Sequence, residues 1–568
     1  MSEQNKLTRR QFLKDAALAS AAVAATSVLG AAPAAAQVPT KWDKEVDVVV
    51  VGGAVGMAAA IQAKTDGAGD VLLVEKGDHV GGLWISAGGS CTLGGNNIVQ
   101  QRDGEKDDNE AWFQDEMYAN EYRGVPEIIR TLVGRGADTV KWLQDLGMVW
   151  APLTAGVLRP PIKRGLQPAP SPNYPGGVGL PGTQGICWIT IWRKKLEALG
   201  VPMLLKHRMT RIYRDGTGPV VGIEVKNPTG TMNIKARKGV ILCTGTWTDN
   251  ARMCQAWDPR IVGPNAYGDG GTPFDGTLYA DSSADGHFAA AEIGAGFADM
   301  SFVSYLYIFY GSRSYWGWDP LDWTASNCQA GKGLPRTADF FQRVILVKDD
   351  GARWINEAEG ARPGIPGRAG WSEWPEWPYT ATYLSLPQPR NVWAIADGDA
   401  PAALKWPLSD LQKPNPKAGL MFDPACLAIA DTLEELAQKM GIDPAKLQAT
   451  ITKYNGFVDA GKDADFGKPM PLSKIVKPPF YGAKANLIRH TQRNGLRVNT
   501  KSQVIEQSDQ KDGLKPVSID QEKVIPHLYA AGELGNALGW RRPHNSLGHY
   551  TTAARIAGEN AAKEKPLT

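Results

Sequence analysis

Residues 46–76 read VDVVVVGGAVGMAAAIQAKTDGAGDVLLVEK. The order of residue types in this stretch decides the fold. Val46, Val48, Val49, Val50 and Val51 form a nearly continuous β-branched run, as in a strand buried on both faces. Gly52, Gly53 and Gly56 follow at once, and Met57 to Ala63 then supplies small residues for a helix packed closely on strands. A second apolar strand, Val71 to Val74, ends in Glu75. Strand, glycine turn, helix, strand and acid make a βαβ unit with a carboxylate about 20 residues beyond the glycines, the arrangement of a dinucleotide-binding sheet. Glycines let the backbone turn tightly and approach a pyrophosphate, and the helix N-terminus offers that anion free N–H groups and a positive dipole end. Glu75 is placed to accept hydrogen bonds from ribose hydroxyls, which also disfavours a 2′-phosphate. The turn is one residue shorter than usual, and Ala54 stands where a glycine is common.

Outward from this unit, the chain has 568 residues, 43% hydrophobic and 21% charged. That length suits two or three domains with room to enclose a large cofactor, and the composition is globular rather than disordered. A net charge of +3 gives no reason to expect nucleic acid or an anionic membrane as partner. Cys91, Cys187, Cys243, Cys254, Cys328 and Cys426 are far apart, with no CxxC or CxxCH. The sequence signs of a c-type haem, a zinc ribbon and a ferredoxin cluster are therefore missing, and no metal is expected. Electrons that arrive one at a time must then come from a partner.

The N-terminus reads as an address. Thr8 to Lys14 is TRRQFLK, followed by an Ala-rich stretch from Ala16 to Leu29 and by Ala34-Ala35-Ala36. This is the region order of a removed signal in its twin-arginine form, residues 1–36, with Gln37 opening the mature chain and the periplasm as destination. The route carries folded proteins, which suits a cofactor inserted before export. The apolar run is Ala-dominated and broken by Pro33, and nothing else is long enough for a permanent membrane span.

Behind Glu75 comes a second glycine-rich loop, KGDHVGGLWISAGG, containing Lys76, Gly82, Ser86, Gly88 and Gly89. Such a loop can run along a flavin's ribityl chain and diphosphate. Three further segments carry a resemblance: KGVILCTG at 238–245, Ala284-Asp285-Gly286 with AAAEIGAGFADMSF at 289–302, and IPHLYAAGELGNALGW at 525–540 with TTAARIAGENAAK at 551–563. Together they are similar to the fumarate reductase and 3-ketosteroid dehydrogenase flavoprotein family. The resemblance implies an α/β fold. A Rossmann-like FAD-binding domain of glutathione reductase type (40–303 and 488–568) would be interrupted by an α+β capping domain (304–487). It implies FAD, with the Gly245 turn at the cofactor and Glu533 on the ribityl chain; no family-typical attachment residue is evident, so the FAD is expected to be non-covalent. Ser546 and Leu547 would lie by the isoalloxazine, and the last helix would point its positive end at the flavin. The active site would lie in the crevice between the domains.

The same resemblance names candidates for the chemistry. His490-Thr491, in HTQRNG, stands where the family binds substrate, although a glycine pair is partly lost; the alternative is a hinge histidine capping backbone. Arg541, followed by Arg542, would clamp an anionic oxygen through its fork of donors, with His544 beside it; the alternative is a surface arginine pair. Arg362 follows DDGARWINE (349–357) near the position of a proton-donating arginine. Arginine stays protonated in isolation, so it needs a carboxylate relay, for which Glu357 and Glu359 are at hand. Where dicarboxylate reductases carry a His–Pro pair this chain has VSYLYIFY (303–310), with Tyr305, Tyr307 and Tyr310. These tyrosines are candidates for carbonyl binding or proton transfer, or else core packing. That departure, with the many cap tryptophans, favours an aromatic or cyclic substrate over fumarate. The expected activity is oxidoreduction of a C–C or C=C bond beside a carbonyl or carboxylate (EC 1.3 type). The alternatives are a ketosteroid-type or cyclic-ketone dehydrogenase and a flavin-binding electron carrier without substrate chemistry. A periplasmic cytochrome or quinol-linked donor or acceptor is the partner implied by likeness.

Overall fold

The computed structural model describes residues 37–154 (except 88, 121 and 123), 162–173, 185–260, 282–310 (except 302 and 304), 340–357, 378–404 (except 388 and 389), 414–415, 419–420, 427–508 (except 490, 491 and 493), 517–535 and 547–568. Residues 1–36, expected to be a signal segment, lie outside them. No helix among the described residues is long and apolar enough to cross a membrane.

The valine run forms β1 (Lys44–Val51), whose last six residues are all buried. The helix that follows is α1 (Gly56–Thr65), and β2 (Val71–Val74) lies parallel to β1, with Val49 opposite Leu72. Eight consecutive residues of α1, Gly56 to Ala63, are buried. Ala is the best helix former and the smallest side chain, so the run can both form the helix and bring it onto the sheet. The sheet continues through β3 (Met203–Leu204), β4 (Arg208–Arg214), β5 (Val220–Asn227) and β6 (Gly230–Leu242). The long strand β6 returns to lie parallel to β1 on the side away from β2, with Val49 opposite Val240.

The second lobe is built on a different sheet. Its strands are β7 (Tyr305–Tyr310), β8 (Ile345–Val347), β9 (Trp393–Ala396), β10 (Leu427–Ala430) and β11 (Phe480–Arg489). They run antiparallel in the order β7-β11-β9-β8, with β10 also on β11. Side chains alternate across a strand, and here each face has a distinct partner. Ile345, Val347, Trp393 and Ile395 pack against Leu436, Met440, Leu447 and Ile451. Those four belong to the lobe's own helices, α2 (Leu433–Met440) and α3 (Pro444–Asp459). Both helices start at oxygen caps, Thr432 on the Glu435 N–H (3.1 Å) and Asp443 on the Ala445 N–H (2.9 Å). The opposite face, with Leu346, Ala394, Ala396 and Ala483, shares one core with Trp247, Met253, Ala284, Met300 and Val303 of the first lobe. The lobes are therefore packed on each other through apolar side chains.

A buried ion cluster ties the loop after β8 to the segment beyond α3. Arg353 donates to both oxygens of Glu357 (2.9 and 2.7 Å) and to Asp463 (2.9 Å), and Lys468 stands 3.4 Å from Glu357. Burial alone would raise the Glu357 carboxyl, but the Lys468 and Arg353 charges outweigh it and hold it below the usual range. Glu357 also accepts the Leu346 N–H (3.0 Å). This carboxylate helps to hold the lobe together. Arg362 and Glu359 lie outside the described residues.

At Arg489 the chain leaves the second sheet. Its guanidinium donates to the Asp258 carboxylate (2.9 Å) and carbonyl (2.8 Å), a fully buried clamp onto the first lobe. The chain then adds β12 (Gln503–Ile505) and β13 (Val524–Ala530), with β13 parallel to β6 and Tyr529 opposite Ile241. The last helix, α4 (Leu547–Lys563), lies against α1 so closely that a methyl on Gly558 would collide with the Ala59 carbonyl. The larger sheet thus has eight strands among the described residues, in the order β12-β13-β6-β1-β2-β3 with β4 and β5 joined through β6.

Candidate cofactor and active site

Chain-distant turns meet at the C-terminal edge of β1, β6 and β13, where ligands bind in open α/β sheets. Gly52 has φ +108°, and a methyl there would run into the Cys243 carbonyl at the end of β6. Its N–H donates to the Val74 carbonyl (2.8 Å), which staples the turn to β2. Gly56 opens α1 against Val50, with 3.1 Å left for a Cβ. No side chain caps this helix, whose N-cap is Val55. An uncapped N-terminus offers its N–H groups to an anion.

Glu75 stands beside this turn. One carboxylate oxygen accepts the Gly53 N–H (2.6 Å) and the other the Gly77 N–H (2.7 Å). Each oxygen has a second lone pair, so the side chain can also accept from ribose hydroxyls. Gly81 donates to the Gly53 carbonyl (2.8 Å), bringing the second glycine loop onto the first, and Gly82 faces Ala54. The Gly89 carbonyl accepts the buried Trp188 indole N–H (2.9 Å). Lys76 reaches Ser283 (2.6 Å) and Asp285 (3.4 Å), and Arg208 also donates to Asp285 (2.6 Å). Burial would raise the Asp285 carboxyl, yet Lys76 and Arg208 pull it below its ordinary value.

The remaining turns close on the same place. A methyl on Gly286 would collide with the Thr244 hydroxyl and reach Leu534 at 2.7 Å. Gly495 lies against the Leu534 carbonyl, which accepts the Leu496 N–H (2.8 Å). Gly532 leaves 2.9 Å between a would-be Cβ and Val55. A Cβ on Gly245, by contrast, would meet nothing within 4 Å. Around it the hydroxyls of Thr244, Thr246 and Thr248 are buried with no hydrogen-bond partner among the described residues. His287, fully buried on the helix Asp285–Glu292, likewise has no partner at either ring nitrogen. Burial pushes its imidazole down to about 3, which keeps it neutral. Buried polar groups left unpaired cost about 1–3 kcal/mol each. Unpaired threonine hydroxyls beside converging glycine turns, with an uncapped helix and a ribose-type acid at the same place, fit a polyhydroxylated, phosphate-bearing cofactor such as FAD. Among the described residues no group of three or more His, Cys, Asp or Glu is arranged to hold a metal.

Gly52, Gly53, Gly56, Glu75, Lys76, Gly82 and Gly245 thus belong to one region, while Gly89 meets the buried Trp188. Glu533 sits half-buried in the turn after β13, and Leu547 is the first residue of α4. The backbones of Tyr305 and Tyr307 lie on β7, opposite Arg489 and Leu487. Gly88, His490, Arg541, His544 and Ser546 lie outside the described residues. Sequence reasoning missed Thr244, Thr246, Trp247 and Asn494. The first three flank the quoted Gly245, and Asn494 fills the interrupted glycine pair of HTQRNG, so position was the available signal.

Comparison with known proteins agrees with this geometry. The FAD binding domain family matches residues 47–306 and 321–548. A urocanate reductase of Eggerthella lenta is 27% identical over 537 residues, covering 93% of this chain and 76% of that protein. A fumarate reductase (cytochrome) of Shewanella frigidimarina is 27% identical over 529 residues, 91% of this chain and 77% of that protein. A vinyl phenol reductase of Lactiplantibacillus plantarum is 26% identical, covering 91% and 96%. Among solved structures, the open conformation of a flavocytochrome c3 fumarate reductase aligns with TM-score 0.68 at 23% identity, over 99% of this chain and 82% of that one. A 3-ketosteroid Δ1-dehydrogenase from Sterolibacterium denitrificans aligns with TM-score 0.64 at 19% identity, over 92% and 99%. At these identities the structural matches speak for the fold alone.

Proposed function

Because this chain belongs to the FAD binding domain family, we propose that it is an FAD-dependent reductase of a C=C bond conjugated to a carboxylate or carbonyl. The observation that carries the reading is the convergence of the 52–56, 243–247, 286, 495 and 532–534 turns around unpaired threonine hydroxyls. Relatives named as urocanate, fumarate and acrylate reductases support the reaction class. FAD bound here supplies a ring that carries hydride; the chain's own residues hold, orient and shield it. The α1 N-terminus would hold the diphosphate, Glu75 the ribose, and Thr244 and Thr246 the ribityl hydroxyls. His490 and Arg541 bind the substrate's carboxylate or carbonyl oxygen, with His544 in the same pocket. Arg362, or a tyrosine of Tyr305 and Tyr307, supplies the proton. The proton goes to the carbon next to the one that receives hydride.

An aromatic or cyclic enoate is the favoured substrate, since tyrosines stand on β7 where the dicarboxylate reductases carry a His–Pro pair. We read residues 1–36 as a twin-arginine signal and the periplasm as the working compartment. A cytochrome or a quinol-linked protein is the electron donor. The test is an anaerobic panel in which dye-reduced holoenzyme meets aromatic enoates, dicarboxylates and cyclic enones. Reoxidation by an enoate, with stoichiometric saturated product, is the expected result; reoxidation by no member of the panel would overturn the reading. The FAD is held without a covalent bond, so acid precipitation is expected to leave a colourless pellet and a yellow supernatant. A pellet that keeps the flavin would contradict this.

A further inference from the structure

Trp247 ends the turn that carries Gly245 and the unpaired hydroxyls, and it is fully buried. Its ring belongs to the core shared by the two lobes, with Met300, Val303, Leu346 and Trp354. Its indole N–H donates to the Asn494 side-chain oxygen at 2.7 Å, across 247 residues of sequence. Asn494 is also buried (1% exposed), and its amide nitrogen points to the Met300 carbonyl (3.4 Å) and to Gln492 (3.5 Å). One asparagine thus joins the cofactor-side turn, the turn at Met300 and the segment returning from the second lobe. That segment is pinned on both sides, by Arg489 on Asp258 before it and by Leu496 on Leu534 after it.

We infer that Trp247 and Asn494 are a pair of positioning residues. Their buried hydrogen bond fixes the return segment against the cofactor-side turn and so sets how substrate meets the flavin. The inference rests on the reductase reading above. An indole N–H is a donor only, with no lone pair to offer, so it can be satisfied in a dry core only by an acceptor. An aliphatic residue at 494 would leave that donor buried and unpaired, whereas replacing both partners by apolar groups would remove the unpaired group altogether. In HTQRNG the asparagine interrupts a glycine pair, and the structure gives its side chain this task. The effect on chemistry follows from geometry, since reacting atoms must be held in near-contact alignment.

The test compares wild type, Trp247→Phe, Asn494→Leu and the double variant as FAD-loaded enzymes. The readouts are the visible circular dichroism of the bound flavin, kcat and KM for an accepted enoate, and Tm. Each single variant is expected to alter the flavin dichroism and to lower kcat by on the order of tenfold to a hundredfold, with KM changed much less. The double variant is expected to lose no more than the worse single one, the mark of two residues acting through one bond. Asn494→Leu is the variant most at risk of misfolding; Trp247→Phe keeps a smaller aromatic ring in the core and carries the test if it does. The proposal is overturned if Tm alone falls while dichroism and kcat hold, or if the losses simply add. A wild-type protein without flavin or turnover would instead strike the reductase reading itself.

Discussion

Gly52→Ala is expected to purify without stoichiometric FAD. At φ +108° an L side chain is strained, and the methyl would collide with the Cys243 carbonyl. That carbonyl cannot retreat, because the Cys243 N–H is bonded to Val51 (2.7 Å) and both residues end adjacent parallel strands. The backbone strain alone costs about 1–3 kcal/mol. Relief comes only by swinging the turn outward, over the uncapped end of α1. If about 3 kcal/mol of binding is lost, Kd rises by roughly two orders of magnitude. The measurement is an FAD titration of deflavinated protein followed by visible absorbance. Gly104→Ala is the control: Gly104 has φ +71° with nothing within 4 Å of a Cβ, so it carries the strain without the collision. Wild-type affinity in Gly52→Ala would remove this turn from the cofactor site.

Arg353→Met is expected to be the most destabilising change in the second lobe. Arg353 is the shared donor to Glu357 and Asp463, whose side chains are both fully buried. Removing it leaves two carboxylates in the interior with Lys468 as the remaining close cation among the described residues. Breaking a buried ion network from one side costs about 3–5 kcal/mol, whereas replacing the whole network with apolar residues is often neutral. The pH dependence gives a second reading. The Glu357 and Asp463 carboxyls are held below their ordinary values of 4.5 and 3.8, despite burial that would raise them. Carboxyls depressed in the folded state stabilise it above those values, and that stabilisation is lost as pH falls through the folded pKa. Without Arg353 the folded values rise, so acid unfolding of the variant should begin at higher pH. Denaturant midpoints between neutral and acid pH measure both effects; a midpoint shift under about 1 kcal/mol would show that the network is a surface-like pair of no consequence.

What was legible in the sequence was what is local. The β1–α1–β2 unit follows from a valine run, glycines and a small-residue helix, and the structure gives Val71–Val74 with the bounds expected. Helix starts are local in the same way: α2 begins after Thr432, and α3 after Asp443 with Pro444 at its first position. What was not legible is pairing over distance. Nothing in the valine run says that β6 lies beside it on one side and β2 on the other. The two-faced sheet of the second lobe, with one side on its own helices and the other on Trp247 and Met300, depends on strands spread from 305 to 489. The site shows the same division. Glycine turns announce close backbone approach, and Gly52 lies against the Cys243 carbonyl as such a turn requires. Threonines and an asparagine occur everywhere in sequences, and Thr244, Thr246 and Asn494 acquire meaning only once the fold shows what they face. The buried cluster of Glu357 with Arg353 and Lys468 was hidden for the same reason, since it is visible only in three dimensions.

The most direct measurement is a crystal structure of the FAD-loaded protein. It should show the diphosphate at the N-terminus of α1, ribose hydroxyls on Glu75, and the Thr244 and Thr246 hydroxyls within hydrogen-bond distance of the cofactor. FAD bound elsewhere, with Gly52–Gly56 and the three threonines turned toward protein alone, would contradict the account.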